Sequence, residues 1–356
     1  MQSSTMDHGN FVVSLDFELM WGVRDIVTVQ QYGKNIAGVH TVVPRLLDVF
    51  STYDIRATFA TVGFLFFETK AALQAAIPQN LPSYDDANLS PYNGYFETIG
   101  DNYTSDPFHY APLLIKAIQQ HPQHEISTHT FSHYYCQEPG QTPEQFGEDM
   151  VAARDIASSY GIATTSVIFP RNQYNPLYAD VCKALGIIAY RGNEAHWIYN
   201  SMREPGNSFI KLLFFIAGPY RSKLKRIMKR VCRMIDSYIN VSGHHCYSDE
   251  YLASHFPVDI PSSRLLRPYS SSLAILEPLR LRRIKKGMTY AAKHNLTFHL
   301  WWHPHNFGIN QDKNFAFLEE ILKHYQKLNT KYNFQSVTMS ALAERVLSKT
   351  NQALKG

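Results

Sequence analysis

Phe11-Val12-Val13-Ser14-Leu15-Asp16-Phe17-Glu18 is the stretch that decides the fold. A short apolar run closed by two acids spaced i, i+2 reads as a buried strand that presents both carboxylates on one face. Acids capping such a run need a partner in the interior. One can bind a metal ion while the other stays free as a base. Matching imidazoles stand in Glu125-Ile126-Ser127-Thr128-His129-Thr130-Phe131-Ser132-His133. On a single helical turn residues i and i+4 point the same way, so His129 and His133 would grip one ion. Two histidines rarely complete a site, and the first strand is the obvious donor of the carboxylate. The bland alternative is a helix start capped by Ser127, Thr128 or Thr130, with solvated histidines.

Further apolar runs follow the same plan. Strands are expected at Phe11–Leu15, Ala57–Val62, Glu125–Thr128, Ser166–Phe169, Ile187–Tyr190, Leu296–Trp302 and Phe334–Thr338. Helices are expected at Val42–Tyr53, Phe108–Gln120, Thr142–Tyr160, Pro176–Leu185, Leu276–His294 and Asn314–Lys327. This alternation predicts a parallel sheet or a closed α/β barrel. The chemistry sits at the C-terminal ends of the runs, at Asp16, Glu18, His129, Arg171 and His303, where barrel enzymes build their sites. Residues 79–107 read as a long irregular loop forming a wall of the cleft. Residues 200–272 read as an insertion within a single domain spanning 1–356.

The 356 residues are enough for one large α/β domain, and 45% hydrophobic with 18% charged residues describes a globular chain. The net charge is +4, but 221–233 holds Arg221, Lys223, Lys225, Arg226, Lys229, Arg230 and Arg233 with no acid. The remainder is therefore slightly acidic, and general nucleic-acid binding is not expected. Cys136, Cys182, Cys232 and Cys246 are scattered, without a CxxC pair. No run approaches the ~18–20 apolar residues of a spanning helix. The polar start MQSSTMDHGN carries no visible signal peptide, so a cytoplasmic location is expected.

The acid pair, the HTFSH stretch and Asp54-Ile55-Arg56-Ala57-Thr58-Phe59-Ala60-Thr61-Val62-Gly63 together resemble the polysaccharide deacetylase (NodB-homology) superfamily, carbohydrate esterase family 4. Phe169-Pro170-Arg171-Asn172-Gln173-Tyr174-Asn175-Pro176 looks like that family's arginine-bearing motif, and Leu300-Trp301-Trp302-His303-Pro304-His305-Asn306 like its final strand-end histidine. The resemblance implies a distorted (β/α)7 barrel with an inserted helical or irregular region. It implies a metal held by Glu18, His129 and His133, with Asp16 as general base. Arg171 would pair with Asp16 and keep it ionised, and His303 would protonate the leaving amine, with His305 as its competitor. Where the family has Asp-Trp, this chain has His196-Trp197, which leaves Glu194 as a candidate to orient His303. Candidate substrate contacts are Trp21, Trp197, Trp302 and His305.

The expected activity is therefore metal-dependent removal of an N-acetyl or related acyl group from a sugar in a polysaccharide, oligosaccharide or glycan precursor. Zinc is the first expectation for the ion, and cobalt, nickel, iron or manganese also suit two histidines and a carboxylate. Two rivals remain at this level. One is a glycan-binding pseudo-enzyme, and the other is a non-haem Fe(II) oxygenase, whose carboxylate usually lies close to the first histidine. The basic stretch carries an apolar stripe of Leu224, Ile227, Met228, Val231, Ile235 and Tyr238. That stripe either packs on the barrel or gives residues 221–239 a peripheral contact with an anionic membrane, suiting a lipid- or nucleotide-linked sugar. A second cluster, Arg280, Arg282, Arg283, Lys285 and Lys286, could extend such a surface.

Overall fold

The computed structural model describes residues 8–200 and 221–353. The nine strands among these described residues, all paired in parallel, are β1 (Asn10–Phe17), β2 (Ala57–Thr61), β3 (Glu125–Thr128), β4 (Ser166–Val167), β5 (Ala189–Tyr190), β6 (Val258–Asp259), β7 (Arg264–Leu265), β8 (Thr297–Trp302) and β9 (Gln335–Val337). They run β6-β5-β4-β3-β2-β1-β8-β7, and β9 pairs with the first residues of β1. The sheet curls into a half-barrel of the (β/α) type, and among the described residues its end strands β6 and β7 are not paired with each other. Every strand anticipated from an apolar run is present. Strands β6 and β7 fall inside the stretch read as an insertion, so that stretch also supplies part of the sheet. Val258-Asp259 and Arg264-Leu265 each join one apolar to one charged residue, so no apolar run marks them.

The run that opens the chain is buried at every position, as a strand covered on both faces must be. Phe11, Val13, Leu15 and Phe17 point outward into a core shared with Val42, Leu46 and Phe50 of helix Val39–Thr52 and Phe315, Leu318 and Leu322 of helix Gln311–Tyr332. Burying each such side chain contributes about 1.5–3 kcal/mol. On the inner face, Val12, Ala60, Ile168, Ala189 and Val258 meet Met339, Leu342 and Val346 of helix Met339–Ala353. This apolar layer fills the half-barrel near the starts of the strands. Toward their C-terminal ends the inner face of β1 becomes polar, at Ser14 and Asp16.

Local signals fix the helices around this sheet. Helix Pro143–Ser159 begins with Thr142 and Gln145 as a reciprocal capping box and with proline in its first turn. The loop over residues 79–107 contains short helical turns at Ala87–Leu89 and Tyr95–Thr98. It is pinned by Tyr95 and Phe96 against Trp21. The basic stretch forms helix Arg221–Asp236. Its apolar stripe does not fully pack: Ile227, Val231 and Ile235 stay 45–52% exposed, while Lys229 is buried. The second basic cluster is not a continuous surface, because Arg280 and Arg283 are buried and pair with Glu277 and Asp236. Among the described residues no helix is long and apolar enough to cross a membrane.

Candidate active site

The inner face of β1 delivers both acids to one place. Glu18 Oε2 lies 3.3 Å from His129 Nε2 and 3.1 Å from His133 Nε2. Its other oxygen lies 3.2 Å from His305 Nε2 and 3.6 Å from His303 Nε2. His303 Nε2 is also 3.6 Å from Asp16 Oδ2, and its side chain is 25% exposed, whereas both acids are buried. Burial by itself would raise the Glu18 pKa. The nearby His303, His129, His133 and His305 rings outweigh it and hold the carboxyl well below its ordinary range. Burial lowers the His133 pKa to about 4, so its ring is neutral near pH 7.

This donor set fits a cation. His129 Nδ1–H donates to the Ile168 carbonyl at 2.7 Å, which leaves Nε2, aimed at a carboxylate oxygen, as the ring nitrogen able to offer a lone pair to a cation. Two acceptors 3.3 Å apart need a proton or a positive ion between them. Ligands about 2.0–2.2 Å from a shared tetrahedral ion are separated by roughly 3–3.5 Å, the spacing found here. Glu18, His129 and His133 form one such trio, and Glu18, His303 and His305 a second, each with its ligand atoms within 4.8 Å of one another. Tyr32 Oη lies 2.9 Å from His305 Nδ1 and orients that ring toward Glu18.

The two histidines after β3 do not share a helical turn. Thr130 and His133 have left-handed backbones, with φ of 64° and 61°, and residues 129–133 form a loop. The loop is held from outside. Asp149, on helix Pro143–Ser159, accepts from Phe131 N at 2.7 Å, from Ser132 N at 3.1 Å and from the Ser132 hydroxyl. Gly63 N and Phe64 N donate to the carbonyls of Thr130 and Phe131. A Cβ at Gly63 would come within 2.5 Å of the Phe131 ring, so only glycine allows this approach.

Arg171 does not reach Asp16. Its backbone is left-handed (φ 55°), its guanidinium pairs with Asp25 and lies 3.9 Å from Glu138, and it stacks 4.2 Å over Tyr135. The partner of Asp16 is Arg191, directly after β5, whose Nη1 and Nη2 donate to the two carboxylate oxygens at 2.6 and 2.7 Å. Arg191 Nη1 also reaches Ser14 Oγ at 3.1 Å, and Nη2 reaches Asn172 Oδ1 at 2.8 Å. Burial acts to raise the Asp16 pKa, but the Arg191 charge overrides it and the pKa is lowered. The strand-end rule applied to Ile187–Tyr190 points to residue 191, so a signal for this arginine was present. His299, on the same inner face, sets its Nε2 2.8 Å from Ser14 Oγ and is kept neutral by burial, with its pKa lowered to about 3.

The tryptophans sort by register. Ser14 pairs with Trp301 and Leu15 with Trp302, so Trp301 faces the site and Trp302 faces the helices. Trp302 is buried against Phe50 and Phe307, and Trp21 is buried with its indole N–H donating to His109 O at 2.8 Å. Neither is exposed to a substrate. Trp301 instead lies under the Arg191 guanidinium at 4.1 Å and edge-on to His303. Trp197 is half-buried beside His196. Glu194 is buried near Arg264 and Ser262, and the acids facing His303 are Asp16 and Glu18.

Residues 33–190 match the family model for polysaccharide deacetylase. That segment is similar to the polysaccharide deacetylases. The matched segment includes the HTFSH loop and Arg171, while β1 with its acids, Arg191 and the late histidines lie outside it. Over 98% of the chain the fold is similar to a candidate polysaccharide deacetylase from Mycobacterium smegmatis, at 13% identity, 93% coverage of that chain and a TM-score of 0.58. A candidate polysaccharide deacetylase from Pseudomonas aeruginosa PAO1 matches 94% of this chain and 89% of its own at 11% identity, with a TM-score of 0.51. A 4-alpha-glucanotransferase from Thermococcus litoralis matches 95% of this chain and 40% of its own at 9% identity and a TM-score of 0.50. Such identities establish a shared fold alone. No match to a curated protein sequence is found.

Proposed function

We propose that the chain is a metal-dependent hydrolase that removes an N-acetyl, or related acyl, group from a sugar in a polysaccharide, oligosaccharide or glycan precursor. The family-model match over residues 33–190 supports deacetylation, and the carrying observation is the convergence of histidine Nε2 atoms on Glu18 beside the Asp16–Arg191 pair. Glu18, His129 and His133 are the residues to hold a divalent ion, zinc first, which when bound polarises a carbonyl and makes water acidic enough to ionise near neutral pH. Asp16, kept ionised and aimed by Arg191, takes the proton of the attacking water. His303, the most exposed of the site histidines, gives a proton to the departing amine. Trp301 offers an aromatic wall for the sugar.

The partner class is a carbohydrate, lipid- or nucleotide-linked where it is a glycan precursor, met in the cytoplasm or at the cytoplasmic face of a membrane. Contact with an anionic surface through 221–239 is supported by the half-exposed Ile227, Val231 and Ile235 next to exposed Arg226 and Arg230. Acetate release from N-acetylated glycans and lipid-linked sugars, measured after chelation and metal add-back, tests the activity. Asp16→Asn and His129→Ala should each lower turnover by about 10²-fold or more. Undiminished turnover in both variants would refute the mechanism.

A further inference from the structure

A cavity of about 560 Å³ adjoins the acid–histidine cluster, and its wall includes Arg230, Arg233, Arg264 and Arg267 together with Asn172 and Trp301. The last two are shared with the site, since Asn172 Oδ1 accepts from Arg191 and the Trp301 ring lies under the same guanidinium. Arg264 is only 4% exposed. Its Nη1 donates to Asp236, but its buried Nη2 has no hydrogen-bond partner among the described residues. A buried donor left unmet costs about 1–3 kcal/mol, so Arg264 Nη2 calls for an acceptor that the described residues do not supply. Among the described residues, Arg230, Arg233 and Arg267 have no carboxylate partner. Burial lowers the Arg267 pKa, and the neighbouring Arg233 and Arg280 charges push the same way. Glu194, the acid on the wall, is itself held toward its neutral form by burial.

We propose that this cavity receives a phosphoryl group of the substrate, so that the sugar brought to Asp16 and His303 carries a phosphate ester or a diphosphate. The part of this inference that concerns the sugar rests on the deacetylase reading; the anion site stands on its own geometry. Guanidinium forks match phosphate oxygens in pairs, and several of them around one cavity suit a multiply charged anion better than a single carboxylate. The same chemistry is offered by a nucleoside-diphosphate sugar and by a sugar on a polyprenyl diphosphate.

Calorimetric titration with inorganic pyrophosphate, on the metal-loaded protein and on an equally loaded Arg233→Gln/Arg267→Gln variant, tests the site without reference to turnover. The variant should bind pyrophosphate about tenfold or more weakly, the loss of one or two charge-assisted hydrogen bonds. Arg233→Lys/Arg267→Lys, checked for an unchanged melting curve, should recover part of that affinity. Equal pyrophosphate binding by wild type and the Gln variant, or none by either, overturns the proposal, as does equally tight, arginine-dependent binding of glucuronate. Acetate release is then compared among UDP-N-acetylglucosamine, polyprenyl-diphosphate-linked N-acetylglucosamine in detergent and neutral N,N′-diacetylchitobiose. A phosphorylated sugar should be preferred, and which one is preferred identifies the source. Preference for the neutral sugar counts against the proposal. Arginine-dependent pyrophosphate binding with no acetate from any sugar keeps the anion site and refutes the deacetylase reading.

Discussion

Arg191 and Asp16 form a buried two-pronged ion pair, Nη1 to Oδ1 at 2.6 Å and Nη2 to Oδ2 at 2.7 Å, across a half-barrel in which β2, β3 and β4 separate their strands. The pair keeps Asp16 charged in a place where burial alone would neutralise it. Replacing Arg191 with Gln leaves that charge uncompensated, a loss of about 3–5 kcal/mol in stability. Arg191→Lys keeps the charge but not the fork, and should lower kcat while moving the acidic limb of the pH–rate profile upward. Arg171→Gln should do neither. Melting temperatures and pH profiles of the three variants check this.

Gly22 makes room for Glu18. A Cβ on residue 22 would sit 1.9 Å from Glu18 Cδ, an overlap that only movement of the carboxylate can relieve. Gly22→Ala should therefore fold and lose bound metal, read as metal per chain by plasma mass spectrometry. Full occupancy in this variant would show that Glu18 is not a ligand.

His303 and His305 should separate by phenotype. His305 is buried between Tyr32 and Glu18, whereas His303 faces both acids and the opening. His303→Gln should lower kcat about 10²-fold with metal retained. His305→Gln should lower metal affinity first. Parallel turnover and metal titration distinguish the two roles.

Stability should fall on the acid side. Burial lowers the pKa of His133 to about 4 and that of His299 and His245 to about 3, below the 6.5 of the unfolded chain. The unfolded state then binds more protons, so stability is fully present above pH 6.5 and is lost as pH falls through the window down to about 3–4. Each such histidine adds a slope of up to about 1.4 kcal/mol per pH unit. His245→Gln, remote from the acids, should flatten the slope of urea midpoint against pH between 6.5 and 4.

Asp149 should be the residue that shapes the HTFSH loop. An amide in its place can satisfy only part of the donor set from Phe131 and Ser132, and the loss is about 1–3 kcal/mol. Asp149→Asn should thus weaken metal binding without contacting the ion, while Asp155→Asn, on the exposed side of the same helix, should not.

Sequence alone determined seven of the nine described strands and placed the candidate acids and histidines at their ends. Short apolar runs such as Phe11–Leu15 and Leu296–Trp302 are buried on both faces, and period-two geometry then puts Asp16 with Glu18 whatever lies around them. The acid pair, the histidines of the HTFSH loop and the late histidines were legible for that reason. Tertiary structure decided which groups meet. The curl of the sheet, rather than proximity along the chain, brings Arg191 to Asp16, while a left-handed residue turns Arg171 toward Asp25. Strand register, set by pairing with β1, chose Trp301 over Trp302 for the inner face. Backbone contacts from Gly63 and the Asp149 carboxylate, both distant in sequence, hold His129 and His133 in a loop instead of the helical turn their spacing suggested. Spacing fixes which side chains can share a face, but long-range contacts fix which faces come together.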